Sequence, residues 1–67
     1  MIPTAGDRIR VTAPLVDEPD TSMVGAEGTV VAVHNQGTMM EQIEVTWDNG
    51  RRLYLLPEDP YEVVDAG

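Results

Sequence analysis

Residues 27–64 alternate short β-type runs with turn chemistry, and that alternation confines the chain to an all-β fold. The runs are Gly28-Thr29-Val30-Val31-Ala32-Val33, Ile43-Glu44-Val45-Thr46-Trp47, Arg52-Leu53-Tyr54-Leu55-Leu56 and Tyr61-Glu62-Val63-Val64. Asn35-Gln36-Gly37-Thr38, Asp48-Asn49-Gly50 and Pro57-Glu58-Asp59-Pro60 separate them. β-Branched and aromatic side chains suit a pleated, half-buried surface, whereas Gly, Pro, Asn and Asp supply the dihedrals that turns demand. An earlier run, Arg8-Ile9-Arg10-Val11, alternates polar and apolar and puts Ile9 and Val11 on one face.

Residues 13–24 hold Pro14 and Pro19 among several acids. Proline cannot donate to a ladder, so this stretch reads as a long loop after the first strand. Gly25 and Gly28 point to tight bending or a close backbone approach at a corner. In the run that follows, Val31 and Val33 share one face and Val30 and Ala32 the other, and two apolar faces make a central strand. The hairpin at Asp48-Asn49-Gly50 admits two registers. A two-residue Asn-Gly turn pairs Val45 with Tyr54. A three-residue loop pairs Trp47 with Arg51, Val45 with Leu53 and Ile43 with Leu55, gathering one apolar face on both strands. A one-residue slip would carry that set to solvent, which favours the three-residue loop with Gly50 in the left-handed region as a bulge. Pro57-Glu58-Asp59-Pro60 is too short for an α-helix and suits a single 3₁₀ turn. Together these features predict one domain over residues 1–67. It is an all-β, small five-stranded SH3-like barrel with a long loop after strand 1 and a 3₁₀ turn before the last strand.

A chain of this length buries only about 60% of the surface its unfolded form exposes. Small scaffolds commonly add disulfides, a metal or a partner chain. With no Cys, disulfides and thiolate metal sites are excluded, which leaves the β core and oligomerisation. No run of about 18 apolar residues is present to span a membrane. Met1-Ile2-Pro3-Thr4-Ala5-Gly6 has neither the basic head nor the apolar stretch of a signal peptide, so a cytoplasmic location is expected. Twelve acidic residues face four Arg and no Lys, a net charge of −8. Affinity for nucleic acid comes from cations that displace counterions, so this balance disfavours nucleic acid and anionic lipid. The same charge either keeps a small domain soluble or forms an acidic surface for a basic partner.

The chain resembles a family of small bacterial and phage domains that carry only a domain-of-unknown-function label. The resemblance rests on Gly6-Asp7-Arg8, Asp17-Glu18-Pro19-Asp20, Gly25-Ala26-Glu27-Gly28-Thr29-Val30, and Val45-Thr46-Trp47-Asp48-Asn49-Gly50-Arg51-Arg52-Leu53, and covers nearly the whole sequence. More loosely, Gly6-Asp7 with Gly28-Thr29-Val30 is similar to KOW motifs, found in SH3-like modules that bind RNA or protein. RNA-binding members of that class are usually basic, and this chain departs from them. The resemblance implies a fold and supplies no catalytic residue.

Nucleophilic catalysis finds no support, because there is one His and no Cys, and His34 falls at a strand end as a surface residue. The paired carboxylates, Asp17, Glu18 and Asp20 or Glu58 and Asp59, sit in Pro-bearing loops. General acid–base work needs a group tuned by its surroundings, and a solvated loop offers none. The Asp17-to-Asp20 cluster lacks the spaced ligands of an EF-hand loop, and Gly25-Ala26-Glu27-Gly28 leads into a strand rather than the helix a phosphate loop requires. No catalytic residue, cofactor or metal is expected.

In the favoured register Trp47 is core or barrel rim, while Arg52, Tyr54 and Leu56 point outward. Trp, Tyr and Arg are enriched at binding hot spots, so this row is either a partner contact or an area covered by neighbouring strands or the long loop. Met40 joins it as an adaptable apolar contact; Met39, in the parity of Ile43, is a further contact or core. The expected function is a non-catalytic protein-interaction module, phage- or mobile-element-encoded, whose partner is another protein or a second copy. The alternative is a nucleic-acid-related module, either a KOW-type RNA binder or an acidic DNA-mimicking decoy.

Overall fold

Each β-type run folds as a strand: β1 (Arg8–Val11), β2 (Glu27–His34), β3 (Gln42–Trp47), β4 (Tyr54–Leu55) and β5 (Tyr61–Asp65). The structure is a computed structural model that describes residues 3–17 and 21–67. The strands form one five-stranded sheet in the order β4-β3-β2-β1-β5, and every pairing is antiparallel. β2 lies at the centre, as its two apolar faces predict. The hydrogen-bonded sheet is not closed, because β4 and β5 remain its two edges. It does curl: Leu55 of β4 belongs to the core, and Tyr61 and Val63 of β5 pack against that same core.

Alternation puts Ile9, Val11, Val30, Ile43, Val45, Trp47 and Leu55 on the inner face. Fully burying an aliphatic side chain of this kind is worth about 1.5–3 kcal/mol, and these carry most of the fold. The Trp47 indole N–H donates to the Leu53 carbonyl at 3.0 Å, so its polar atom is satisfied inside. The long loop, read from sequence only as Pro-rich connection, adds Leu15 and Met23 to the core.

The hairpin adopts the three-residue register. Ile43 lies opposite Leu55 and Glu44 opposite Tyr54, and Gly50 has φ +81°. The Gly50 amide donates to the Trp47 carbonyl at 3.1 Å, while the Arg51 amide turns to Asn49 Oδ1 at 2.9 Å. Residues 51–53 leave the ladder, so β4 is shorter than the apolar run suggests.

The expectation for β2 needs a correction. Its pairing with β3 shifts between Val30 and Ala32, a bulge that places Val31 outside, at 45% exposure. Beyond the bulge the parity reverses. Val33 lies opposite Ile43 and packs on the core with Val30, while Ala32 lies opposite Glu44. Val31 and Val33 therefore do not share a face. A bulge adds one residue to one strand, and no residue type in this run marks it.

Buried carboxylates hold the connections. Asp59, expected in a solvated loop, is 8% exposed. It accepts the Val16 amide at 2.8 Å and the Leu56 amide at 2.7 Å, fastening the long loop to the turn before β5. That turn is closed by the Asp59 amide on the Leu56 carbonyl at 3.0 Å. It is a single turn closed by an i→i+3 hydrogen bond. Asp7 likewise accepts the Thr4 amide at 2.9 Å and the Gly67 amide at 3.0 Å, tying the two ends of the chain. These amides hold the Asp7 carboxyl below the ordinary carboxylate value, since they favour its charged form.

Candidate functional site

The outer face of β2, β3 and β4 carries what is left over once the core is packed. Tyr54 is 49% exposed although its neighbour Leu55 is fully buried, which is the alternation of a pleated strand at a sheet edge. Its ring stacks on His34, with centroids 5.8 Å apart and planes 19° apart. His34 Nε2 lies 2.8 Å from Glu44 Oε1, and Glu44 is the cross-strand neighbour of Tyr54. Three strands thus contribute one side chain each to a His34–Glu44–Tyr54 cluster. Sequence reasoning read His34 as an isolated surface residue. The signal that could have found the cluster is the parity of Glu44 with Tyr54 in the favoured register.

Because residues 51–53 leave the ladder, a cleft of about 520 Å3 opens beside Tyr54. Glu44, Thr46, Trp47, Arg52, Leu53 and Tyr54 line it. Arg52 is exposed, and among the described residues it forms no ion pair. Leu56 is half-buried and offers less apolar area than the sequence suggests. Of the expected row, Arg52 and Tyr54 are therefore brought together at the cleft.

Met40 is 70% exposed, at the end of the β2–β3 connection that begins beside His34. Met39 is fully exposed, which removes the core alternative. The connection is held by its own hydrogen bonds. Thr38 Oγ1 donates to the Asn35 carbonyl at 2.7 Å and accepts the Met40 amide at 3.1 Å. Glu41 Oε1 accepts the Gly37 amide at 2.8 Å. The parity that pointed Met39 inward stops where the strand ends at His34 and resumes only at Gln42.

The cations of β1 are committed elsewhere. Arg8 forks onto both oxygens of Asp48, reaches Glu27 at 3.5 Å and donates to Thr29 Oγ1 at 3.1 Å. Arg10 pairs with Glu27 and with Glu62, each at 3.1 Å. This network joins β1, β2, β5 and the β3–β4 loop across the outer face. The Arg8 guanidinium holds the Asp48 carboxyl below its ordinary value, and Asp48 in turn raises Arg8. Exposed pairs of this kind add little stability singly. Their larger consequence is that the Arg8 and Arg10 charges are neutralised in place.

The Asp17-to-Asp20 cluster lies, from Glu18 to Asp20, outside the described residues. Among the described residues no three His, Asp or Glu side chains converge as metal ligands, and no helix is long and apolar enough to cross a membrane. No family model, curated protein or solved structure matches the chain.

Proposed function

We propose that this protein is a non-catalytic protein-interaction module built as a small SH3-like barrel, with its contact face on the outer side of β2, β3 and β4. The observation that carries this reading is Tyr54. It is half exposed beside a fully buried Leu55, braced by His34, and set at the mouth of a cleft shared with Arg52. A rigid aromatic next to an unpaired guanidinium is the composition of an interface hot spot. Met40 extends the face toward the β2–β3 connection, and Leu56 adds a half-buried margin. The curl that brings Leu55 and Tyr61 to one core supports the barrel class, and the resemblance to small bacterial and phage domains and to KOW-containing SH3-like modules points the same way.

A non-catalytic role fits the ionisable groups. Among the described residues, the groups displaced from their ordinary values are Asp7, Arg8, Asp48 and Tyr61. The first three are displaced by hydrogen bonds and pairs that hold the fold, and Tyr61 mainly by burial. The ion pairs of Arg8 and Arg10 favour a protein partner over nucleic acid, because the carboxylates beside them offset the charge that would otherwise attract phosphate. Cytoplasmic residence belongs to the same reading.

The test is affinity capture from the native host, comparing the wild-type chain with an R52E/Y54A variant that circular dichroism shows to be folded at the capture temperature. A protein retained by the first and lost by the second is expected. Equal retention by both would sink the assignment of this face. A titration with duplex DNA or single-stranded RNA at physiological salt should give no measurable binding, and micromolar binding that weakens steeply with salt would favour the nucleic-acid class instead.

A further inference from the structure

We infer that Asn49 is a modification site gated by the β3–β4 hairpin: the closed hairpin holds it unreactive, and opening lets it cyclise onto the Gly50 amide and become isoaspartate. The inference is independent of the contact-face reading. The chain holds two Asn, and only Asn49 precedes a Gly. Gly50 has no side chain to shield its amide, and nothing lies within 4 Å of where a Cβ would stand. Asn49 and Gly50 are both exposed, so water reaches them.

The closed hairpin withholds both reacting atoms. The nucleophile is the Gly50 nitrogen, whose hydrogen is donated to the Trp47 carbonyl at 3.1 Å. The electrophile is Asn49 Cγ. Asn49 Oδ1 accepts the Arg51 amide at 2.9 Å, the local bond that Asn makes to the backbone two residues on. Asn49 Nδ2 donates to Met23 Sδ at 3.6 Å, and Met23 is buried. These bonds sit at a turn whose second strand has only two residues. Opening so small a segment costs far less than global unfolding.

In the open hairpin the Gly50 nitrogen loses its proton to solvent and bonds to Asn49 Cγ. The Cγ–Nδ2 bond breaks, and Nδ2 takes up a proton and leaves as ammonia. Water then adds to the resulting succinimide. Cleavage at Cγ gives aspartate, and cleavage at the main-chain carbonyl gives isoaspartate, in which the backbone runs through Cβ and Cγ. Isoaspartate lengthens the loop by one backbone atom, and loop length sets the hairpin register. The closed turn is therefore not recovered. Gly50, Arg51 and Arg52 line the cleft beside β3, so the change reshapes its mouth.

The test incubates the protein at neutral pH, folded and in urea, and follows Asn49 by peptide mapping with mass spectrometry. In urea Asn49 should convert, while Asn35, which precedes Gln36, should persist. In the folded protein conversion should be at least about tenfold slower, in proportion to the open fraction of the hairpin. The same opening frees the Gly50 hydrogen, so the slowing should match the hydrogen-exchange protection of the Gly50 amide within about threefold. Gly50→Val, compared in urea where its fold is immaterial, should suppress the reaction by crowding the nucleophile. In the purified isoaspartate form the Gly50 amide should exchange without protection. Equal rates folded and in urea, or a slowing unrelated to Gly50 protection, overturn gating by the hairpin. No conversion in urea, or undiminished conversion in Gly50→Val, overturns the cyclisation. Gly50 protection retained in the isoaspartate form overturns the loss of the closed turn.

Discussion

Gly28 lies opposite Trp47 across β2 and β3, and a Cβ on Gly28 would come 3.1 Å from the Trp47 Cα. The same atom would meet the Thr46 carbonyl oxygen at 2.7 Å and Val45 Cγ1 at 2.6 Å. Two of those neighbours are backbone and cannot swing aside. Gly28→Ala should therefore destabilise the fold by about 1–3 kcal/mol, the range for overpacking a dense core. Urea unfolding of the variant measures this, and an unshifted midpoint would show that the sheet accommodates the methyl.

Gly50 illustrates a different constraint. Nothing lies within 4 Å of a Cβ there, but its φ is +81°. Gly50→Val should cost about 1–3 kcal/mol, because β-branched residues pay for positive φ. Gly50→Asn should cost less, since Asn tolerates the left-handed region. Thermal melts of the pair separate backbone strain from crowding, and equal loss in both variants would count against strain.

Asp59 tests the loop anchor. Asp59→Ala leaves the Val16 and Leu56 amides without their acceptor, a loss of about 1–3 kcal/mol per unsatisfied buried group. Its exposed neighbour Glu58 serves as control, and Glu58→Ala should change the melt by no more than about 0.5 kcal/mol. Hydrogen exchange at Val16 should rise in the first variant alone.

Leu55 and Tyr54 are adjacent in sequence and opposite in fate. Leu55→Ala should cost about 2–5 kcal/mol by emptying a fully buried site, whereas Tyr54→Ala loses an exposed ring and its His34 contact, about 1 kcal/mol or less. Circular dichroism melts decide between them. A Tyr54→Ala variant as unstable as Leu55→Ala would place Tyr54 in the core and remove it from the contact face.

The shifted groups predict a stability profile with two shoulders. Asp7 and Asp48 titrate below their ordinary value of 3.8 when folded, so their contribution is fully present above that value and is lost as pH falls below it. Tyr61 is raised above 10.0 by burial and by Glu41, so its contribution is present below pH 10 and is lost as pH climbs through the folded value. Melting temperature should fall as pH drops below about 3.8 and as it climbs above about 10. Asp7→Asn should shrink the acid shoulder and leave the Asp48 part, and Tyr61→Phe should shrink the alkaline one.

What the sequence determined by itself is whatever depends on near neighbours. The period-two alternation of Ile9 and Val11, or of Ile43, Val45 and Trp47, specifies strands and their inner face, because pleating sends successive side chains to opposite sides. The parity of Leu53 and Leu55 against Ile43 and Val45 selected the hairpin register and with it the outward aim of Tyr54. The charge balance followed from counting. Tertiary structure decided the rest. The bulge at Val31 reverses the parity of β2, and its cause lies in the pairing with β3 rather than in the run of valines and alanine. Asp59 and Asp7 became buried anchors because amides from Val16 and Gly67, distant along the chain, arrive at their oxygens. Leu15 and Met23 became core because the long loop folds back over the sheet. The His34–Glu44–Tyr54 cluster exists only because three strands bring one side chain each to the same outer face, and proximity of that kind is a property of the packed sheet alone.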